Sequence, residues 1–343
     1  MSAWKRQLIA GGSNLFINQN GARREREQEA LQSELYDQIG RLKMELEWLK
    51  KKLPDSIEAK RSLIERNHPR ITAPVPCIVM AHGLGGTKAM GLDRYETRFQ
   101  AAGFAVLAFD YRFWGESAGE PRGLIWIPHQ LEDYAAAVRY ARSRGEIDPE
   151  RIALWGTSMS GGHVVVTAAQ DHRIACMAAQ CPGLDGLVSA KKTYSRAGVD
   201  LRIAVHAQRD LARSWLGLLP HKIPVVGKPG NVALMTTPDA MDAFEQFIPP
   251  GYINEACART AIRGDKYRPI KQAHEIRCPT LLQICEKDDL LPAGAVEETA
   301  MILGDLAELQ RYPIGHFDVY MGENFEASVA DQMAFFERNL SRT

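Results

Sequence analysis

Ile152-Ala-Leu-Trp155-Gly156-Thr-Ser158-Met159-Ser160-Gly161-Gly162 runs from four apolar residues directly into a cluster of glycine and serine. The apolar run reads as a buried strand, and the small residues after it open a helix. A serine placed on such a strand-to-helix turn has its hydroxyl thrust out at the sheet edge on strained backbone. Gly156 and Gly161 are the small neighbours that let the helix pass close to the strand. The string departs from G-x-S-x-G, because Ser160 stands where the second glycine is usual and Gly161 follows one place later. Serine is small enough to be tolerated there.

Outward from this turn, the apolar runs at 77–81, 104–109, 152–155, 174–180 and 280–285 are short enough for buried strands. Helical stretches around 88–102, 126–144 and 160–170 separate the first four. Strands alternating with helices of that length predict βαβ units and an α/β fold, a doubly wound, mostly parallel sheet covered on both faces. The stretch 183–275 breaks the rhythm and carries Pro220, Pro224, Pro229, Pro238, Pro249 and Pro250. It is expected to form a helical cap inserted over the carboxyl ends of the strands, where ligands bind in open α/β sheets.

The whole-chain balance of 42 Lys+Arg against 42 Asp+Glu argues against nucleic acid as the main partner. A hydrophobic content of 45% and a charged content of 24% fit an ordinary globular protein and exclude wholesale disorder. No run approaches the ~18–20 apolar residues of a membrane span, so no membrane partner is expected. The amino-terminal residues lack the apolar core of a secretory signal. The six cysteines form no C-x-x-C pair, so they read as reduced, buried residues of a cytoplasmic protein.

A nucleophilic serine needs a base to take its proton and an acid to orient that base. Downstream, Cys285-Glu-Lys-Asp288-Asp289-Leu-Leu-Pro292 places Asp288 just past a strand, and Gly315-His316-Phe-Asp318 places His316 in a loop after the strand-like Glu308–Tyr312. Asp289 is the second choice of acid; Asp318 and Asp110 are weaker ones. Of nine histidines, His316 alone combines a glycine neighbour, a late loop position and a matching Ser and Asp. His163 and His172 read as structural, and His129, His206 and His221 have no partner motif. His82-Gly83-Leu84-Gly85-Gly86 follows the first strand and offers a glycine-rich turn. There the backbone N–H of Leu84, with that of Met159, is positioned to hold a tetrahedral oxyanion. A dinucleotide fingerprint fails because Lys88 stands where its third glycine would fall, and a P-loop fails for want of G-K-[ST]. No ligand spacing for a metal is present, and no cofactor is expected.

With these motifs in place, the chain from 71 to 343 resembles the α/β-hydrolase superfamily. Asp110-Tyr-Arg-Phe-Trp-Gly-Glu-Ser117, Gly156–Val164 and Tyr312–Tyr320 are most similar to its dienelactone-hydrolase-like members, which include polyketide transferases. The resemblance implies Ser158, Asp288 and His316 as a catalytic triad and acyl transfer through an acyl-serine. The substrate would be a small-molecule ester, thioester or other acyl compound. A serine nucleophile argues against dehalogenase, epoxide hydrolase or true dienelactone hydrolase activity. Two other readings stay open: a folded but inactive scaffold, and a DNA-associated oligomer. Members of the superfamily carry an antiparallel strand pair ahead of the strand that enters the His82 loop. Here that pair is missing, so an unprotected sheet edge is expected.

Residues 1–70 are a different kind of sequence, with 14 Lys+Arg against 10 Asp+Glu. Leu35, Ile39, Leu42, Leu46, Leu49 and Leu53 repeat at spacings of four and three, the heptad of a short coiled coil. This predicts a helical arm that self-associates through residues 35–53; packing of the stripe on the neighbouring domain is the alternative. Residues 1–70, most closely 34–70, resemble the end of the small accessory protein of insertion-sequence transposases running into the start of its catalytic partner. The helix-turn-helix and acidic catalytic domain of that family are absent, so the resemblance implies an insertion relic without transposase chemistry. A helix cannot supply strand hydrogen bonds to an open sheet edge, so the arm is expected to stand apart from the body. Deleting residues 1–70 should leave the melting temperature, followed by circular dichroism, nearly unchanged. A fall of more than a few degrees would show that the arm is part of the fold.

Overall fold

Strands β1 (Val75–Ala81), β2 (Ala105–Phe109), β3 (Ile147–Thr157) and β4 (Cys176–Gln180) each follow a helix or precede one. Short strands β5 (Lys222–Ile223) and β6 (Ala256–Cys257) come next, and β7 (Thr280–Cys285) and β8 (Ala307–Tyr312) complete the series. All but β5 and β6 join one parallel sheet in the order β2-β1-β3-β4-β7-β8. The structure is a computed structural model that describes residues 74–190, 201–262 and 264–341. The chain divides into two compact units, Met1–Thr72 and Ala73–Thr343. The heptad stripe and the transposase-like segment lie outside the described residues.

The near-continuous apolar strands are explained by burial on both faces. Successive side chains of a strand alternate between faces. Val79, Leu154, Met177 and Leu282 therefore join one core, while Met80, Trp155, Ala178 and Leu281 join the other. The first core is closed by helices α2 (Ile127–Arg142), α3 (Met159–Gln170) and α6 (Ala293–Leu303). The second is closed by α1 (Leu92–Ala101) and α7 (Gly322–Leu340), through Tyr95, Phe99, Phe325 and Phe336. Between α3 and α6 lie α4 (Leu201–Trp215) and α5 (Ala240–Glu245), which belong to the insertion above the sheet. From β1 the chain winds outward to β2, whereas β3 and β4 lie on the other side of β1. The loops after β1 and β3 thus diverge at a topological switch point, where a ligand crevice forms.

Two expectations need adjustment. The insertion is less helical than its sequence suggested: irregular chain and β5 lie between α4 and α5, and β6, which pairs antiparallel with β5, follows α5. Proline lacks an amide hydrogen and clashes within a helix, so Pro220, Pro224, Pro249 and Pro250 hold those stretches open. The expected sheet edge falls on β2, one strand beyond the strand that enters the His82 loop, and β8 is the opposite edge. Among the described residues β2 has β1 as its only strand partner, and its five residues are half-buried.

A buried polar knot locks α7 onto the sheet. Trp155 Nε1 donates to Gln332 Oε1 at 2.9 Å, and Gln332 Nε2 donates to Gln180 Oε1 at 2.8 Å and Gln283 Oε1 at 2.6 Å. Gln283 Nε2 donates to the Ser328 carbonyl at 2.9 Å, and Tyr95 Oη donates to Gln180 Oε1 at 3.1 Å. One glutamine thus satisfies polar groups from β3, β4 and β7. Gln332→Leu should destabilise the fold by roughly 3 kcal/mol, because each buried group left unpaired costs ~1–3 kcal/mol. The midpoint of urea unfolding measures this; a change within experimental error would mean the knot is replaced by water.

Candidate active site

Ser158 sits between the end of β3 and the first residue of α3 with φ 56° and ψ −119°, a conformation that costs an L-residue of order 1–3 kcal/mol. Three backbone hydrogen bonds hold it there. Its N–H donates to Gln180 O at 2.9 Å, and its carbonyl accepts from Gly161 N at 3.1 Å and Gly183 N at 2.8 Å. A Cβ on Gly156 would lie 2.2 Å from Ser160 O, so only glycine lets the helix fold back over the strand. The same holds at Gly83, where a Cβ would lie 2.9 Å from Ser158 Cβ. That contact brings the His82–Gly86 loop against the serine.

Ser160 has a function that its type did not announce. Fully buried, its Oγ hydrogen-bonds the His82 carbonyl and lies 2.6 Å from Tyr111 Oη. It therefore ties the start of α3 to the glycine-rich loop, which a glycine at this position could not do. Asp110 secures the far end of that loop by accepting from Lys88 N at 2.7 Å and from Glu116 N at 2.9 Å. Asp110 is thus a loop clamp. His163 is structural as expected, 2.6 Å from Tyr267 Oη and 3.0 Å from Gln130 Oε1, and burial lowers its pKa to about 3. His206 and His221, which lacked a partner motif, stack on each other with Nδ1 and Nε2 2.7 Å apart.

The loop after β7 brings Asp288 to His316. Asp288 Oδ1 accepts from Leu290 N and Leu291 N, both at 2.7 Å, which turns Oδ2 toward His316 Nδ1 at 2.5 Å. His316 Nε2 in turn lies 3.1 Å from Ser158 Oγ. His316 and Asp288 are buried, and Ser158 is half-buried. Of the other carboxylates, Asp318 accepts from Gly315 N at 2.8 Å and so shapes the His316 loop. Cys181, which no sequence signal marked, lies beside this group with its Sγ 3.7 Å from Thr157 Oγ1. Burial works against a charge on His316. The electrostatics of Cys181 and Asp288, with the Asp288 hydrogen bond, outweigh it and hold the pKa well above the usual imidazole value.

Ser158 borders two cavities. One of about 290 Å³ lies beneath the insertion and is bordered by Leu84 and Met159, with Ile125, Ile203 and Leu234 on its walls. The other, about 80 Å³, lies on the His316 side among Met90, Leu92, Phe244 and Phe247. Leu84 and Met159 both border the larger chamber beside Ser158. His82 and Gly86 border the smaller chamber, while Gly85 packs on Val225. Among the described residues no group of three or more His, Cys, Asp or Glu is arranged to hold a metal.

The profile of the serine aminopeptidase S33 family (Hydrolase_4) matches residues 72–316. The chain belongs to this family of α/β hydrolases. It is 40% identical over 272 residues to the quorum-quenching protein AidA of Acinetobacter baumannii, covering 79% of this chain and 88% of that one. It is 41% identical over 275 residues to the thiohydrolase aneE of Aspergillus aculeatus, covering 76% and 85%. Its fold is similar to the solved structure of DcsB in complex with a substrate analogue, with a TM-score of 0.67 at 24% identity over 78% of this chain and 92% of that one. The protein is an enzyme of the hydrolase or acyl-transfer type.

The raised pKa of His316 makes a signed prediction. A base acts only when neutral, so its pKa sets the acidic limb of kcat/KM. Asp288→Asn removes a negative charge and a hydrogen bond that favour the imidazolium, so that limb should move to lower pH. The plateau should also fall, by up to about 10⁴ as in a comparable triad. Asp289→Asn should leave both nearly unchanged; the opposite pattern in a pH–rate comparison would make Asp289 the acid.

Proposed function

We propose that the protein is a serine hydrolase acting on a carboxylic ester or thioester through an acyl-Ser158 intermediate. The observation that carries this reading is the continuous Ser158–His316–Asp288 chain of contacts at the mouth of an apolar cavity. His316 Nε2 takes the Ser158 proton as Oγ attacks the acyl carbon, and Asp288 stabilises the imidazolium. The backbone N–H groups of Leu84 and Met159 receive the developing oxyanion, each worth about 2.7–4 kcal/mol where one such donor has been removed. His316 then gives its proton to the departing oxygen or sulfur, which leaves acyl-Ser158. Water enters, loses a proton to the same nitrogen, and releases the acid.

In this reading each cavity takes one half of the substrate. The leaving group must be within reach of His316, so it occupies the small chamber lined by Phe244 and Phe247. The acyl chain then extends into the larger chamber past Ile203 and Leu234. The relatedness to a thiohydrolase supports a thioester as the bond cleaved. A second reading, transfer of a polyketide or fatty acyl group to an alcohol or amine, is favoured by the apolar lining of the small chamber. Such a lining accommodates an organic acceptor as well as a leaving group.

A fluorophosphonate probe should label the wild-type protein at Ser158 and leave Ser158→Ala unlabelled. Hydrolysis of p-nitrophenyl esters should fall by ~10⁶ in Ser158→Ala or His316→Ala, and the double variant should be little worse, because the residues act as a unit. Folded protein that neither labels nor turns over esters from acetyl to dodecanoyl would establish the inactive scaffold instead. Added alcohol that diverts the acyl group into a new ester would establish the transferase.

A further inference from the structure

Helix α4 is amphipathic in an unusual sense, since its outward face is apolar too. Leu201 is 70% exposed, Val205 65% and Trp215 78%, and the turn that follows adds Leu216 at 73%, Leu218 at 50% and Leu219 at 80%. Helical spacing sets Leu201, Val205 and the exposed Ala212 on one line. Arg202, Arg209 and Arg213 fall on the line beside it. Charges from 201 to 222 are four cationic and one acidic, and the acid is withdrawn from the surface. Asp210 is fully buried and accepts from His221 N at 2.7 Å, Arg259 N at 3.0 Å and the Arg259 guanidinium at 3.3 Å. Lys222 is paired with Glu255 at 3.7 Å, and Arg209 and Arg213 border the apolar line.

We infer that this ridge docks on an anionic lipid surface. A helix with Trp and Leu on one line and arginines alongside lies in a membrane interface, its apolar line buried and its cations at the headgroups. The charge complementarity selects an anionic surface, and the shape selects a fluid one. Side chains exposed to 65–80% project from the protein, so a bilayer can close around them where a rigid partner would need a matching cleft. No helix among the described residues is long and apolar enough to cross a membrane, and a helix lying on the surface needs no such run. The inner face of the same helix gives the docking a purpose. Ile203 lines the larger cavity beside Ser158, so the ridge would set that chamber next to a source of acyl chains dissolved in lipid.

The test is sedimentation of the full chain with sucrose-loaded vesicles of phosphatidylcholine, alone or with about one-third phosphatidylglycerol. Binding is read without turnover, so its outcome is independent of the catalytic reading. Wild-type protein should pellet with the anionic vesicles and much less with the neutral ones. Trp215→Glu combined with Leu219→Glu should weaken that binding by about tenfold or more. The double variant should keep the wild-type melting temperature, because both side chains are exposed. Equal binding by the double variant would overturn the proposal by placing attachment elsewhere, including the basic residues 1–70. No binding by either protein would overturn it as well. A concentration-dependent dimer in sedimentation velocity, lost in the double variant without any vesicle binding, would assign the ridge to a second copy of the chain and also overturn it.

Discussion

The left-handed backbone of Ser158 is the constraint on which the site depends. Without it the hydroxyl would point into the helix and not toward His316. The conformation persists because the surroundings over-determine it: β4 offers the Gln180 carbonyl, and two glycine amides converge on the Ser158 carbonyl. Helix α3 must also pass within contact distance of β3, which Gly156 permits. The strain is small against the packing of two hydrophobic cores, so the rest of the fold can hold one residue where it would not otherwise rest.

The same logic extends to the polar groups beneath the site. Ser160 joins α3 to the His82 loop, and Asp110 joins that loop to the chain after β2. These bonds fix the glycine-rich turn against the start of α3. On the other side of the sheet, the Gln332 knot fixes β3, β4 and β7 relative to one another. Those strands end at Ser158, Gln180 and the Asp288 loop, so a slip in their register would separate Ser158 from Asp288 and His316. Rigid strand ends therefore let loops of modest length bring these three side chains together.

The insertion answers a different requirement. The sheet presents Ser158 at the carboxyl ends of its strands, and the insertion closes over them. Residues from the insertion and from the loops over the strand ends provide apolar walls on two sides of Ser158, with unequal volumes. One helix of that insertion has a wall of this chamber on its inner face and apolar side chains on its outer one. A residue pattern that is apolar on two faces has no place in an ordinary surface helix.

Local chemistry was legible in the sequence. The strand-to-helix serine, the glycine-rich loop and the motifs around Asp288 and His316 could all be read because each depends on neighbours within a few residues. The parallel sheet was legible as well, since burial on both faces writes itself as unbroken apolar runs such as Thr280–Cys285. What the residues could not declare is which carboxylate turns toward His316, for Asp288 and Asp289 are adjacent and alike. That choice is made by two amides, Leu290 and Leu291, which engage one oxygen of Asp288 and leave the other facing the imidazole. The functions of Ser160 and Gln332 were equally hidden, because their partners lie 49 to 177 residues away. The division of space around Ser158 into a large and a small chamber, and the strand on which the free edge falls, follow from how distant segments pack. Sequence encodes such contacts only through the whole fold, since a side chain's type states what it can bond, and tertiary structure decides what is within reach.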